Sequence, residues 1–169
     1  GLNALTALMV GLGGTAALTY EELTTTLYPW AASIGVQHDK EVTTIIGDVH
    51  RDHLEPFYEI FRDLIVAPRL DAADFERNRD FLTNAISSTL RGNDDEELGK
   101  QTLNALLYDG HPYEATEMGT ERGLASITLD DVRAFHAQRY TRDNVLIGVA
   151  GGYPDGFLGR VERDLAGLP

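Results

Sequence analysis

Between Leu54 and Ile65 the apolar side chains fall at Leu54, Phe57, Tyr58, Phe61, Leu64 and Ile65. That spacing winds onto one stripe of an α-helix, and the stripe needs a second layer to cover it. Pro68 closes the segment, and Asp52 with Glu55 is expected to cap its start. The same pattern recurs along the chain. Leu2, Leu5, Leu8, Met9 and Leu12 share a face that ends at the Gly11–Gly14 cluster, and Thr19 with Glu22 spells a capping box for a helix stopping before Pro29. Asp71 and Asp74 open a helix carrying Phe75, Leu82, Ile86 and Leu90, stopped at Gly92. Asp94 and Glu97 open another that runs to about Tyr108, with Gly110 as its stop signal. Leu124 and Ile127 predict a short helix, and Thr128 with Asp131 caps one that buries Val132, Phe135, His136 and Tyr140. A final helix follows the turn at Gly151-Gly152 and rests on Phe157, Leu158, Val161 and Leu165.

Strands are few. Residues 33–38 and 42–50 are rich in branched side chains and joined by a tight turn at Asp39-Lys40, which predicts a hairpin. The continuous apolar run from Asn144 to Ala150 suits a fully buried third strand. The fold class expected is α+β, with several helices on one face of a small, mostly antiparallel sheet, and residues 1–169 forming a single domain. Three strands are few for so many helices. The expectation is therefore that strands preceding Gly1, or another segment, complete the sheet.

Composition narrows function. With 14 basic against 27 acidic residues the formal charge is −13, which repels phosphate backbones and anionic bilayers. Neither nucleic acid nor membrane is therefore an expected partner, and no apolar run approaches the roughly 18 residues of a spanning helix. The absence of cysteine removes disulfides, thiolate metal sites and cysteine nucleophiles.

Among groups able to do chemistry, His50, His53 and Glu55 form an alternative metal set, though they straddle a strand end and a helix start. His38 is expected to be solvated at the hairpin turn, His111-Pro112-Tyr113 reads as a turn, and His136 as a core histidine. No G-x-S-x-G elbow accompanies Ser87, Ser88 or Ser126. The acidic run Asp94–Glu97 lacks the spacing of a calcium loop and is explained by the helix dipole. Gly11-Leu12-Gly13-Gly14 follows a helix instead of a strand, with no lysine after it, and Gly151-Gly152 is a turn.

Gly1-Leu2-Asn3-Ala4-Leu5-Thr6-Ala7-Leu8-Met9 followed by Gly13-Gly14-Thr15 resembles the metal-binding helix of the insulinase/pitrilysin family of zinc peptidases, which share a mitochondrial-processing-peptidase-like fold. The resemblance continues through Ala31-Ala32-Ser33 and the hairpin, Asp48-Val49-His50, Ala67-Pro68, Phe75-Glu76-Arg77, Tyr108-x-x-His111-Pro112-Tyr113, Gly119-Thr120, Ile127-Thr128-x-x-Asp131-Val132 and Asn144–Gly151. Active members carry H-x-x-E-H on that first helix, two zinc ligands and a general base, plus a glutamate ligand on a later helix. Here the matched positions are Ala4, Ala7, Leu8 and Ala85.

The resemblance implies a non-catalytic domain, a piece of a larger insulinase-like half, with no zinc of its own. It would pair with a catalytic half or subunit, or with a copy of itself, and help to form a chamber holding extended peptides. Ser33, Ile34, Gly35 and Val36, on the stretch matched to the family's substrate-binding edge strand, are the expected peptide contacts. The alternatives are a zinc-dependent endopeptidase using His50, His53 and Glu55, or a free-standing peptide-binding module. Both a periplasmic and a cytoplasmic bacterial location fit this reading.

Overall fold

The computed structural model describes residues 1–169. Helix α1 (Leu2–Leu12) has only two polar side chains, Asn3 and Thr6, and every residue from Ala4 to Gly11 is buried. A helix apolar on all sides belongs at the centre of a layered structure. The elements that follow it are α2 (Tyr20–Leu27), β1 (Ser33–His38), β2 (Thr43–Asp48), α3 (Leu54–Val66), α4 (Ala72–Asn84), the single turn α5 (Arg91–Asn93), α6 (Asp95–Leu107), α7 (Glu121–Ser126), α8 (Leu129–Arg139) and α9 (Phe157–Leu165). Helix α1 packs directly on β1, β2, α3, α4 and α8. Its last carbonyl, on Leu12, accepts from the Arg77 guanidinium at 2.8 Å, and Arg77 is held in turn by Asp74. None of the helices is long and apolar enough to cross a membrane.

The two strands pair antiparallel, from Ser33 opposite Asp48 to His38 opposite Thr43. The Asp39 carboxylate closes the turn by accepting from the N–H groups of Glu41 and Val42, both at 2.7 Å. Those bonds favour the ionised form and hold the Asp39 carboxyl below its ordinary range. Helix α1 crosses β1 at Gly11, where a Cβ would stand 2.1 Å from Val36 Cγ2. Helix α3 crosses the other strand at Gly47, where a Cβ would meet Phe57 Cζ at 2.8 Å. Glycine at these two points sets how closely helices approach the hairpin.

The core has three parts. Ala4, Leu5, Leu8 and Met9 of α1 join Leu70, Phe75, Leu82, Ile86, Leu124 and Val132. Leu23, Leu27, Phe57 and Leu64 form a second cluster under the hairpin, and Tyr58, Phe157 and Val161 a third. The capping boxes expected at Thr19/Glu22 and Thr128/Asp131 are both formed.

Helix α4 does not stop at Asn84 but widens into a π-helical stretch, Ala85–Leu90, and runs on into α5. Hydroxyls loosen the ladder there: Thr83 Oγ1 donates to the Arg79 carbonyl and Ser87 Oγ to the Thr83 carbonyl, each at 2.9 Å. The wider turn lets Leu82, Ile86 and Leu90 all point inward, and all three are buried.

Three expectations are corrected. The third strand does not form. Residues 145–153 make no backbone–backbone hydrogen bond, and Leu146 is 97% exposed. Its apolar pattern suited a buried strand, but no neighbouring strand lies alongside to pair with it, so the sheet has two strands. Asp52 does not cap α3, because an intervening 3-10 turn, Arg51–His53, puts His53 at the cap position. Leu158 is exposed, and α9 buries Phe157 and Val161 instead.

The close crossing at Gly11 gives a test. Gly11→Ala is expected to destabilise by about 1–3 kcal/mol through overpacking, although alanine is the better helix former by about 1 kcal/mol. In a Val36→Ala background the same change is expected to be neutral or stabilising, read by denaturant unfolding. An equal cost in both backgrounds would refute the contact as the cause.

Candidate functional site

Ala4, Ala7, Leu8 and Gly11 are spaced i, i+3, i+4 and i+7, so they line one face of α1. At Gly11 this face meets β1. Further toward the N-terminus Ala4 and Leu8 enter the same apolar cluster as Leu82 and Ile86, the residues on either side of Ala85. The structure thus brings the long α4 helix against the stretch of α1 that carries three of the four matched positions. Ala4 and Ala7 are 0% exposed and Leu8 is 7% exposed. Ala85 is half-buried at the first position of the π-helical stretch.

The donor set does not fit zinc. Zinc takes Cys, His, Asp or Glu ligands, and the four matched side chains hold only carbon and hydrogen. The buried polar atom on α1 without a hydrogen-bond partner is Thr6 Oγ1, a neutral hydroxyl and not a member of that ligand set. No group of three or more His, Cys, Asp or Glu side chains converges in a way that could hold a metal. The alternative set is drawn apart by other bonds. His50 Nδ1 accepts from the Asp52 N–H, His53 stacks on Trp30 at 5.6 Å between ring centres, and Glu55 pairs with Arg160.

No family model matches the chain, but individual proteins do. It is 28% identical over 112 residues to an uncharacterized zinc protease of Mycobacterium leprae (strain TN), covering 66% of this chain and 25% of that protein. An uncharacterized zinc protease of Bacillus subtilis (strain 168) is 24% identical over 150 residues, 89% of this chain and 36% of its own length. The mitochondrial-processing peptidase subunit beta of Lentinula edodes is 26% identical over 112 residues, 66% of this chain and 24% of its own. Among solved structures, a peptidase M16 inactive domain from Pseudomonas fluorescens superposes with a TM-score of 0.71 at 22% identity, covering 81% of this chain and 33% of that one. A protease from Helicobacter pylori reaches 0.76 at 16% identity, over 98% of this chain and 40% of that one.

This chain is similar in sequence to zinc proteases and shares the fold of a peptidase M16 inactive domain. It spans between about a quarter and a third of the length of the curated relatives described above.

Ser33, Ile34, Gly35 and Val36 lie on β1, which has β2 on one side and no backbone partner on the other. Ile34 and Val36 turn inward, while Ser33 and Gly35 face out, and a Cβ built on Gly35 meets nothing within 4 Å. The edge is chemically able to accept an extended chain by main-chain pairing.

The other candidates are structural. Tyr113 donates its hydroxyl to Glu41, and its carbonyl accepts from Lys40, which ties the 112–114 turn to the hairpin turn. His38 is half-buried instead of solvated. Its Nδ1 lacks a partner, and burial lowers its pKa. His136, expected in the core, is half-buried but hydrogen-bonded: its Nε2 lies 3.1 Å from the Ile65 carbonyl, to which the neutral ring donates, and it stacks on Tyr140 at 4.7 Å. Burial lowers the His136 pKa and pushes the Tyr140 phenol up to about 12. Tyr58 also rises to about 12, through burial and its hydrogen bond to Asp164. Neither the Tyr58–Asp164 bond nor the Arg77 cap of α1 was legible in sequence, since the partners lie 106 and 65 residues apart.

Ala7→Glu, which installs the family's general base in a fully buried position, is expected to cost at least about 3 kcal/mol, because an unpaired carboxylate cannot be solvated there. Ala4→His is expected to cost about 1–3 kcal/mol by overpacking. Chemical denaturation of each variant checks both. For pH, the folded pKa of His38 and of His136 lies below the unfolded value of 6.5. The unfolded chain therefore binds protons first, and stability falls as pH drops through 6.5 toward the lower folded values. Thermal melts from pH 8 to pH 5 in wild type and His136→Gln should show a shallower loss in the variant.

Proposed function

We propose that this domain is a non-catalytic member of an insulinase-like peptidase, pairing with a catalytic half or subunit and helping to wall the chamber that holds extended peptides. The observation that carries the reading is the set Ala4, Ala7, Leu8 and Ala85. Where zinc hydrolysis needs three protein ligands and a base, this chain has methyl and isobutyl groups, three of them sealed in the core. Two similar proteins are named as beta subunits, which supports membership of a larger assembly. The open edge of β1 at Ser33–Val36 supports a part in holding peptide by strand addition, which tolerates side-chain change because the backbone makes the bonds.

Metal content tests the first half of the proposal. After zinc loading and dialysis, mass spectrometry is expected to find far less than one zinc per chain. One tightly held zinc per chain would overturn the reading and direct mutation to His50, His53 and Glu55.

A further inference from the structure

Two turns in the chain share one construction. In Tyr108-Asp109-Gly110-His111 and in Pro154-Asp155-Gly156-Phe157 the fourth N–H donates to the first carbonyl, at 2.8 and 3.2 Å. The third residue of each is a glycine at positive φ, +75° and +82°, a conformation that favours glycine at that place. Each turn therefore sets an aspartate directly before a glycine, and both pairs are exposed. In that dipeptide the backbone nitrogen can attack the aspartate side chain, because the glycine has no Cβ to obstruct the approach.

Bonding, not exposure, separates the two turns. The Gly110 N–H donates to Glu114 Oε2 at 3.0 Å, and the Glu114 N–H donates back to the His111 carbonyl at 2.9 Å. The rings of Tyr108, His111 and Tyr113 pack together there, with centres 4.9–5.8 Å apart. The Gly156 N–H has no acceptor, and residues 145–153, which lead into it, make no backbone–backbone hydrogen bond. Rotating the Asp155–Gly156 peptide breaks only the turn bond, whereas rotating Asp109–Gly110 must also free Gly110 from Glu114.

We propose that Asp155–Gly156 is a site of spontaneous covalent change, at which the chain rearranges to an isoaspartyl link faster than at Asp109–Gly110, and that the change loosens α9. The Gly156 nitrogen attacks the carboxyl carbon of the Asp155 side chain in its acid form. A C–N bond forms, the carboxyl hydroxyl leaves with the amide proton as water, and a cyclic imide closes. Water then adds at the Asp155 main-chain carbonyl carbon and breaks its bond to the nitrogen. The main chain now runs through the side-chain carbon, the former carbonyl is a free carboxylate, and no atom is gained or lost overall. The backbone is one carbon longer between Pro154 and Phe157, across the turn bond that leads into α9. Phe157 anchors that helix in a cluster with Tyr58 and Val161, so a shifted entry weakens its seat.

The test ages the full chain at mildly acidic pH, folded and in urea, and digests it with trypsin. The two sites then fall in separate peptides, residues 101–122 and 143–160. Isoaspartate has the mass of aspartate, so electron-transfer fragmentation reads it. The folded chain is expected to gain isoaspartate about fivefold or more faster at Asp155 than at Asp109, the factor that one extra hydrogen bond contributes. In urea the two rates should draw together. Asp155→Glu keeps the charge and is expected to remove the signal at that site alone. Amides of α9 should exchange with solvent faster in aged wild type than in aged Asp155→Glu. Equal rates at the two sites in the folded chain, or a preference for Asp155 that persists unchanged in urea, would refute the role of the turn bonding. Absence of isoaspartate at Asp155 would sink the site, and unchanged exchange after conversion would overturn the loosening of α9.

Discussion

Burial of α1 on every side is the constraint on which the rest of the structure depends. A helix without a polar face cannot rest on a single layer. The hairpin, α3, α4 and α8 are therefore all required to enclose it. Close approach does much of this work. Gly11 admits the Val36 side chain, Gly47 admits Phe57 and Phe61, and Arg77 reaches back from α4 to satisfy a carbonyl at the end of α1.

The same enclosure bears on chemistry. A hydrolytic metal needs an open coordination position, a water and a route for substrate. Ala4 and Leu8, on the α1 face that carries the matched positions, pack in one apolar cluster with Leu70, Phe75, Leu82, Ile86, Leu124 and Val132. At these positions the lack of donor atoms and the filling of the core come from the same side chains. Small and apolar residues at Ala4, Ala7 and Leu8 remove the donors and also knit the central helix to its neighbours. The π-helical stretch fits this picture, because it turns Ile86 inward beyond Leu82 into the cluster that holds Ala4 and Leu8.

Local chemistry made much of the fold legible in the sequence. Capping boxes at Thr19/Glu22 and Thr128/Asp131, the stripe from Leu54 to Ile65 and the hairpin turn at Asp39 are decided within a few residues, and their structures followed. The relation of Ala4, Ala7 and Leu8 was likewise visible, since helical spacing places them on one face. What the sequence could not carry was pairing over distance. The run from Asn144 to Ala150 has the composition of a buried strand, but a strand needs a neighbour, which residue preference does not supply. The His53 cap was missed because a 3-10 turn shifted the start of α3, and the half-burial of His38 because it depends on what packs beside the hairpin turn.

The unpaired segment at residues 145–153 has a consequence for handling the molecule. An extended apolar stretch with free amides and carbonyls is a template for pairing with any strand it meets, including its own copy on another molecule. Leu146 stands almost wholly in solvent there, with Ile147 beside it and no proline or charge among residues 145–150 to interrupt the stretch. The restraint lies elsewhere on the molecule, in the surplus of carboxylates that makes colliding chains repel. Colloidal behaviour should therefore be governed by acid and salt, with clumping favoured wherever protonation or ionic strength quiets that repulsion before the fold itself gives way.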